Sequence, residues 1–136
     1  MTSQVYRVTK VTKVTKSQFI EVYHHARKLS ERIANATSPA SEVADTTVDS
    51  DGFYLDRTGR YGFIVKDNGE LIALFSMLKG IGQTLVKFAI EKGAKSLDCF
   101  DGYLVEFYSK AGFMEVYREP NWNEGGADVV FMHRIF

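Results

Sequence analysis

The stretch Leu71-Ile72-Ala73-Leu74-Phe75-Ser76-Met77-Leu78-Lys79-Gly80-Ile81-Gly82-Gln83-Thr84-Leu85 decides how this chain is read. Its first five residues are all apolar and make a buried strand, and a short turn carrying Gly80 and Gly82 follows. Ile81, Leu85, Phe88 and Ala89 then recur at the spacing of one helix face. The helix is expected from Gln83 to Lys92, with Gly93 as the residue that ends it. A helix start leaves backbone N–H groups unpaired and carries partial positive charge. Glycines before it let an anion approach the main chain, so the turn can cradle a phosphate or pyrophosphate. Lys79 adds a mobile positive charge. Lys79, Gly80, Ile81, Gly82, Gln83 and Thr84 are thus candidate binding residues. The dinucleotide fingerprint lacks its third glycine here, and no Gly-Lys-Ser/Thr opens the helix. The competing use of such glycines is tight turning and close helix–sheet packing.

Upstream, Phe53–Leu55, Tyr61–Lys66 and Leu71–Phe75 are short apolar or alternating runs separated by turn residues. Asn68-Gly69 predicts a hairpin through a type I′ turn, and Arg57-Thr58-Gly59-Arg60 a turn between the earlier two. This middle stretch reads as an antiparallel meander. Thr15 and Gln18 have the spacing of a capping box. Behind them Phe19, Tyr23, Ala26, Leu29 or Ser30, and Ile33 make one stripe of a helix that fades near Ala36. Ser41 to Asp51 is expected to be loop with at most one helical turn. Gln4 to Val11 is expected as a first, β-branched strand.

Downstream come a strand over Ser96–Phe100, a short helix over Tyr103–Ala111 closed by Gly112, and strands over Phe113–Arg118 and Ala127–His133. The polar loop between the last two carries the only tryptophan, Trp122. The order β-α-β-β-β-α-β-α-β-β describes a single α/β (α+β) domain over 1–136, with one mixed, mainly antiparallel sheet flanked by helices.

At 136 residues and 15.4 kDa, 45% hydrophobic and 13% aromatic, the chain can build one core. Seventeen basic residues balance seventeen acidic ones, so no electrostatic footprint recommends nucleic acid or an anionic membrane. Cys99 is the lone cysteine, and no apolar run approaches the roughly 20 residues that span a bilayer. These features predict a cytoplasmic protein. His24 and His25 are adjacent on a helix and point about 100° apart, which predicts solvent-facing side chains rather than a joint metal site.

The Lys79-Gly80-Ile81-Gly82-Gln83-Thr84-Leu85 segment, followed by Phe107-Tyr108-Ser109-Lys110-Ala111-Gly112-Phe113, resembles the GNAT N-acetyltransferase superfamily. The resemblance covers most of the chain, and the element order agrees with it. It implies that acetyl-CoA is the co-substrate and that Gly80 and Gly82 flank its pyrophosphate. It implies that Tyr108 protonates the departing thiolate. It implies also that the fourth strand, near Leu74, Phe75 and Ser76, splays from the fifth and offers an N–H to the thioester carbonyl. The run from Leu97 to Phe113 is similar to short acetyltransferase-like proteins of phages and mobile elements, which would place the chain in a host cytoplasm.

Three positions depart from the pattern. Met77 stands where the family carries Gln or Arg, the link from Phe75 to Gly80 is short, and Asp101 replaces an Asn that holds pantetheine or a water. An amine acceptor must also lose a proton before it attacks, which calls for a carboxylate or His of tuned pKa. The candidates are Glu70 at the start of the fourth strand, Asp98 and Asp101 around the end of the fifth, and His133 near the last strand, and the sequence does not rank them. Two functions compete. The first is an acetyl-CoA-dependent N-acetyltransferase acting on an unidentified amine of a small molecule or protein. The second is a catalytically degenerate GNAT-like module, a homodimer in one version, that works through protein contacts and exposes apolar surface around the last two strands.

Overall fold

The computed structural model describes residues 8–134. Its elements are β1 (Thr12–Val14), α1 (Lys16–Leu29), α2 (Glu31–Ala36), α3 (Ala40–Thr46), β2 (Gly52–Leu55), β3 (Tyr61–Val65) and β4 (Leu71–Ser76), then α4 (Gly82–Glu91), β5 (Ser96–Phe100), α5 (Tyr103–Ser109), β6 (Phe113–Glu119) and β7 (Val129–Arg134). This is the expected α+β class, antiparallel sheet flanked by helices. Where one sheet was expected there are two: β1-β2-β3-β4 and β5-β7-β6, each antiparallel throughout. A single parallel bridge, Glu70 to Ser96, joins β4 to β5. Beyond it the two strands part, and the gap between them is a V that opens toward Ser76 and Phe100.

Two apolar clusters fill the two sides. Tyr61, Phe63, Val65 and Leu71 pack with Leu85, Val86 and Ala89 of α4, with Tyr108 of α5, and with Val130 and Met132 of β7. Phe19, Tyr23, Ala26, Ile33 and Val43 of the first three helices pack on Phe53, Leu55, Ile64 and Phe75. β3 feeds both sides, which is why all five of its residues are buried.

The N-terminal half departs from the sequence reading in four places. Of the strand expected over Gln4–Val11, residues 4–7 lie outside the described chain; the strand runs instead over Thr12–Val14, where Thr12 hydroxyl also bonds Leu55 O. The single helix to Ala36 is two, because Ser30 turns extended and its hydroxyl takes the N–H of Ile33, starting a new helix. The expected loop after Ser41 contains α3, held to the core by Val43. The Asn68-Gly69 hairpin forms, but only Gly69 has positive φ, so the turn is not type I′; Asn68 instead bonds its side-chain oxygen to the N–H of Glu70. The capping box at Thr15 and Gln18 and the terminating role of Gly93 hold as expected.

Candidate active site

The site is built around an irregularity in β4. Gly62 pairs with Phe75 and Ile64 with Ile72, so two residues of β4, Ala73 and Leu74, oppose the single residue Phe63. This is a bulge, and at its centre Ala73 has φ +54, a left-handed conformation that costs a non-glycine residue about 1–2 kcal/mol. Strain of this size persists where the surroundings impose it, and bulges re-aim backbone groups beside sites. Past the bulge, no strand among the described residues pairs along the edge of β4 that faces β5.

The turn after β4 runs from Met77 to Ile81. Ser76 steadies its start, its hydroxyl accepting from Leu78 N–H at 3.0 Å and lying 2.8 Å from Leu78 O. Gly80 has φ +81, and nothing lies within 4 Å of where a side chain would begin, so the turn needs glycine for conformation and leaves open space around it. Gly82 has a different reason to be glycine. A Cβ there would sit 2.7 Å from the ring of Phe107, so α4 and α5 approach too closely for any side chain. Gln83 reinforces that contact by donating from Nε2 to Phe107 O at 2.8 Å. The first bond within α4 is Leu85 N–H to Ile81 O, and no side chain caps the helix. The N–H groups of Gly82, Gln83 and Thr84 therefore have no intrahelical partner. Of the six predicted cradle residues, Lys79, Gly80 and Thr84 lie at the open turn or on the exposed side of α4; Ile81 is buried, and Gly82 and Gln83 brace the helix pair.

On the α4–α5 side of the V, Tyr108 is buried, with its ring edge-on to Phe107 and Phe113. Burial pushes its phenol above the usual range, so it stays protonated. Cys99 of β5 faces the same side; burial and the charges of Asp98 and Asp101 push its thiol up to about 11, so it is no nucleophile. On the other side of the sheet Glu70 and Asp98 come together at the closed end of the V. Desolvation raises the pKa of Glu70, with the Asp98 charge adding to it; desolvation also raises that of Asp98, a residue exposed on β5. Asp98 lies opposite Phe131, which lies opposite Tyr117, and Phe100 follows two residues along. With Met114 these residues make a half-exposed apolar shelf beside the two carboxylates, the surface expected around the last strands.

Asp101 does not stand as a bare charge at the mouth of the V. Arg118 binds it at 2.8 Å and also holds Glu115 and Asp128. That hydrogen bond from Arg118 keeps the Asp101 carboxyl below the usual range. Of the remaining predicted residues, Phe75 is a core side chain, so it can serve a ligand only through its backbone, and Leu74 is half-buried. His133 is exposed on β7, and Trp122 is 92% exposed in the loop between β6 and β7. A separate cleft of about 490 Å³ lies between α1 and the β2–β3 turn, lined by Glu21, His25, Leu29, Arg60 and Met77 among others. Of the segment between Leu71 and Leu85 only Met77 reaches it. Sequence reasoning missed Arg32, whose Nη2 donates to Ser76 O at 2.8 Å; nothing local in the sequence ties α2 to a strand 44 residues away.

No protein-family model and no curated protein matches this chain. Solved structures do. A Lactobacillus plantarum protein described as an N-acetyltransferase superposes with a TM-score of 0.59 at 14% identity, over 93% of this chain and 98% of that one. A spermidine N-acetyltransferase chimera from Vibrio cholerae gives 0.57 at 14%, over 93% and 95%. Ard1 from Thermoplasma volcanium gives 0.57 at 15%, over 92% and 95%. Identities this low carry the architecture and nothing finer. With its split sheet and bulged fourth strand, this chain has the fold of the GNAT N-acetyltransferases.

Proposed function

We propose that the protein is an acetyl-CoA-dependent N-acetyltransferase whose acceptor is an amine. The observation that carries the reading is the V itself. An unpaired, bulged strand edge lies between a helix start with open N–H groups and the buried, protonated Tyr108. A pantetheine chain can lie along such an edge, and the turn at Gly80 leaves room for a pyrophosphate against the N–H groups of α4.

Bound acetyl-CoA supplies the thioester; the chain supplies the rest. The backbone around Leu74 donates an N–H to the thioester oxygen as negative charge grows on it. Glu70 and Asp98, with pKa values raised toward the working range, take the proton from the ammonium of the acceptor. The free amine nitrogen then bonds the acyl carbon, the C–S bond breaks, and Tyr108 gives its proton to the leaving sulfur. The acceptor enters from the Asp98 side, over the apolar shelf of Phe100, Phe131 and Tyr117, which suits an amine with an apolar body. That placement makes the shelf part of an enzyme rather than the mark of a degenerate module.

The test is thermal unfolding with and without acetyl-CoA. A ligand at about 100 times its dissociation constant adds about 2.7 kcal/mol, a rise of several degrees for a domain of this size. An unchanged midpoint at millimolar acetyl-CoA removes the reading.

A further inference from the structure

Arg32 belongs to α2, outside every segment that suggested a nucleotide site, yet its head group sits at the mouth of the V. The direction of the carbonyl it holds establishes this. Met77 N–H donates to Arg60 O at 2.7 Å, so the Arg60–Met77 pair bonds inward, between β3 and β4. In an antiparallel ladder such pairs alternate with pairs whose N–H and C=O point away from each other. Tyr61 and Ser76 are the next pair, and Tyr61 O indeed turns away to accept from Asp56 N–H. Ser76 O therefore points off β3 to the free edge of β4, and the Arg32 guanidinium that bonds it at 2.8 Å lies on that edge. It stands one residue before Met77, where the turn to α4 begins.

Among the described residues Arg32 has no ion-pair partner: the ion pairs all belong to Arg118, and no carboxylate lies within 4.0 Å of Arg32. A guanidinium carries five N–H donors in a planar fork suited to phosphate oxygens, and the Ser76 bond uses one of them. Three features thus follow one another along the segment from the end of β4 to the start of α4: the guanidinium held on Ser76 O, the uncrowded turn at Gly80, and the open N–H groups of Gly82 to Thr84.

We infer that Arg32 is a binding residue for the pyrophosphate of acyl-CoA, supplying from α2 the side-chain donor that Met77 does not supply from the turn. This rests on the acyl-CoA reading and adds to it a residue and an element that the motif does not contain.

The test compares the wild-type protein with Arg32→Gln and Arg32→Lys, titrated with acetyl-CoA and, by displacement, with S-acetylpantetheine, which lacks the pyrophosphate and nucleotide. Arg32→Gln is expected to weaken acetyl-CoA about tenfold or more, as for loss of a hydrogen bond to a charged group. S-acetylpantetheine should bind all three proteins alike, and Arg32→Lys should recover part of the loss. Wild-type binding with Arg32→Gln unchanged overturns the inference and leaves the acyl-CoA reading standing. So does an equal loss for both ligands, which would make Arg32 a strut between α2 and β4. A wild-type protein that binds no acetyl-CoA overturns the reading itself.

Discussion

Two turns lie side by side at one end of the first sheet, linked by the bond from Met77 N–H to Arg60 O, and they use their polar groups in opposite ways. The β2–β3 turn is closed on itself. Asp56, only 4% exposed, accepts from the N–H groups of Thr58, Arg60 and Tyr61 and from the Thr58 hydroxyl. The β4–α4 turn has no such residue. Each turn carries one glycine at positive φ, Gly59 at +72 and Gly80 at +81, so the backbone geometry alone does not separate them. The difference lies in what takes the N–H groups. In the first, a buried carboxylate takes those of Thr58, Arg60 and Tyr61. In the second, Ser76 takes that of Leu78, and those of Gly82 to Thr84 at the start of α4 have no partner within the helix. A turn of the first kind holds a fold together, whereas one of the second kind is ready for an anion.

The largest effect expected follows from the closed turn. Asp56→Ala strands two or three buried donors, at about 1–3 kcal/mol each, for a total of about 3–5 kcal/mol in urea unfolding. Burial alone would raise the pKa of Asp56, but the hydrogen bonds from Thr58, Tyr61 and Arg60 outweigh it and leave the carboxyl below its ordinary value. Its contribution is thus present above the unfolded-state pKa and is lost as pH falls through the folded one. The variant should lose that acid-side dependence, and acetyl-CoA affinity of the folded fraction should not move. A loss under 1 kcal/mol would mean that the turn is held by something other than its carboxylate.

Glu70 and Asp98 reverse this sign. Their folded pKa values are raised, so the stabilisation they give is complete below the unfolded carboxylate pKa and is lost as pH rises through the folded one. Asp98→Asn should therefore stabilise the protein modestly near neutral pH while lowering kcat about a hundredfold or more, the usual scale for a general base. In the wild type the acid limb of kcat should sit above the ordinary carboxylate range. If Asp98 is a solvated surface charge, neither stability nor rate changes.

The closed turn and the open one also differ in how far they could be read from sequence. The meander and the helix after the glycines announce themselves through periodicity and turn residues, because neighbours in the chain produce them; Tyr108 was singled out only through the family resemblance. The carboxylate of Asp56 reads as a surface charge until its four donors fold around it. Ser30 breaks a helix whose apolar stripe continues through it, since a hydroxyl can either face solvent or take a backbone N–H. Ala73 gives no sign of its positive φ, which the mismatch between β3 and β4 imposes. Gly82 was legible as a glycine needed near the turn, but the reason, the ring of Phe107, lies on another helix. Local structure was visible; contacts between distant segments were not.

The smallest effect expected is also the sharpest comparison of the two turns. Gly59→Ala and Gly80→Ala each force a side chain into the left-handed region, at about 1–2 kcal/mol. At Gly59 the new Cβ would also come within 3.2 Å of Val22, a contact that α1 can absorb by shifting a few tenths of an ångström; at Gly80 it meets open space. Unfolding should therefore rank the two substitutions close together. Ligand binding should not. Gly80→Ala puts a methyl group where a pyrophosphate would approach the α4 N–H groups, and it should weaken acetyl-CoA severalfold, whereas Gly59→Ala should leave the dissociation constant unchanged. Gly82→Ala is the wrong probe for this purpose, because its clash with Phe107 would alter the helix pair whether or not a ligand binds. If Gly59→Ala and Gly80→Ala affect acetyl-CoA equally, the two turns do not divide into a structural and a binding one, and the distinction drawn from their hydrogen bonds fails.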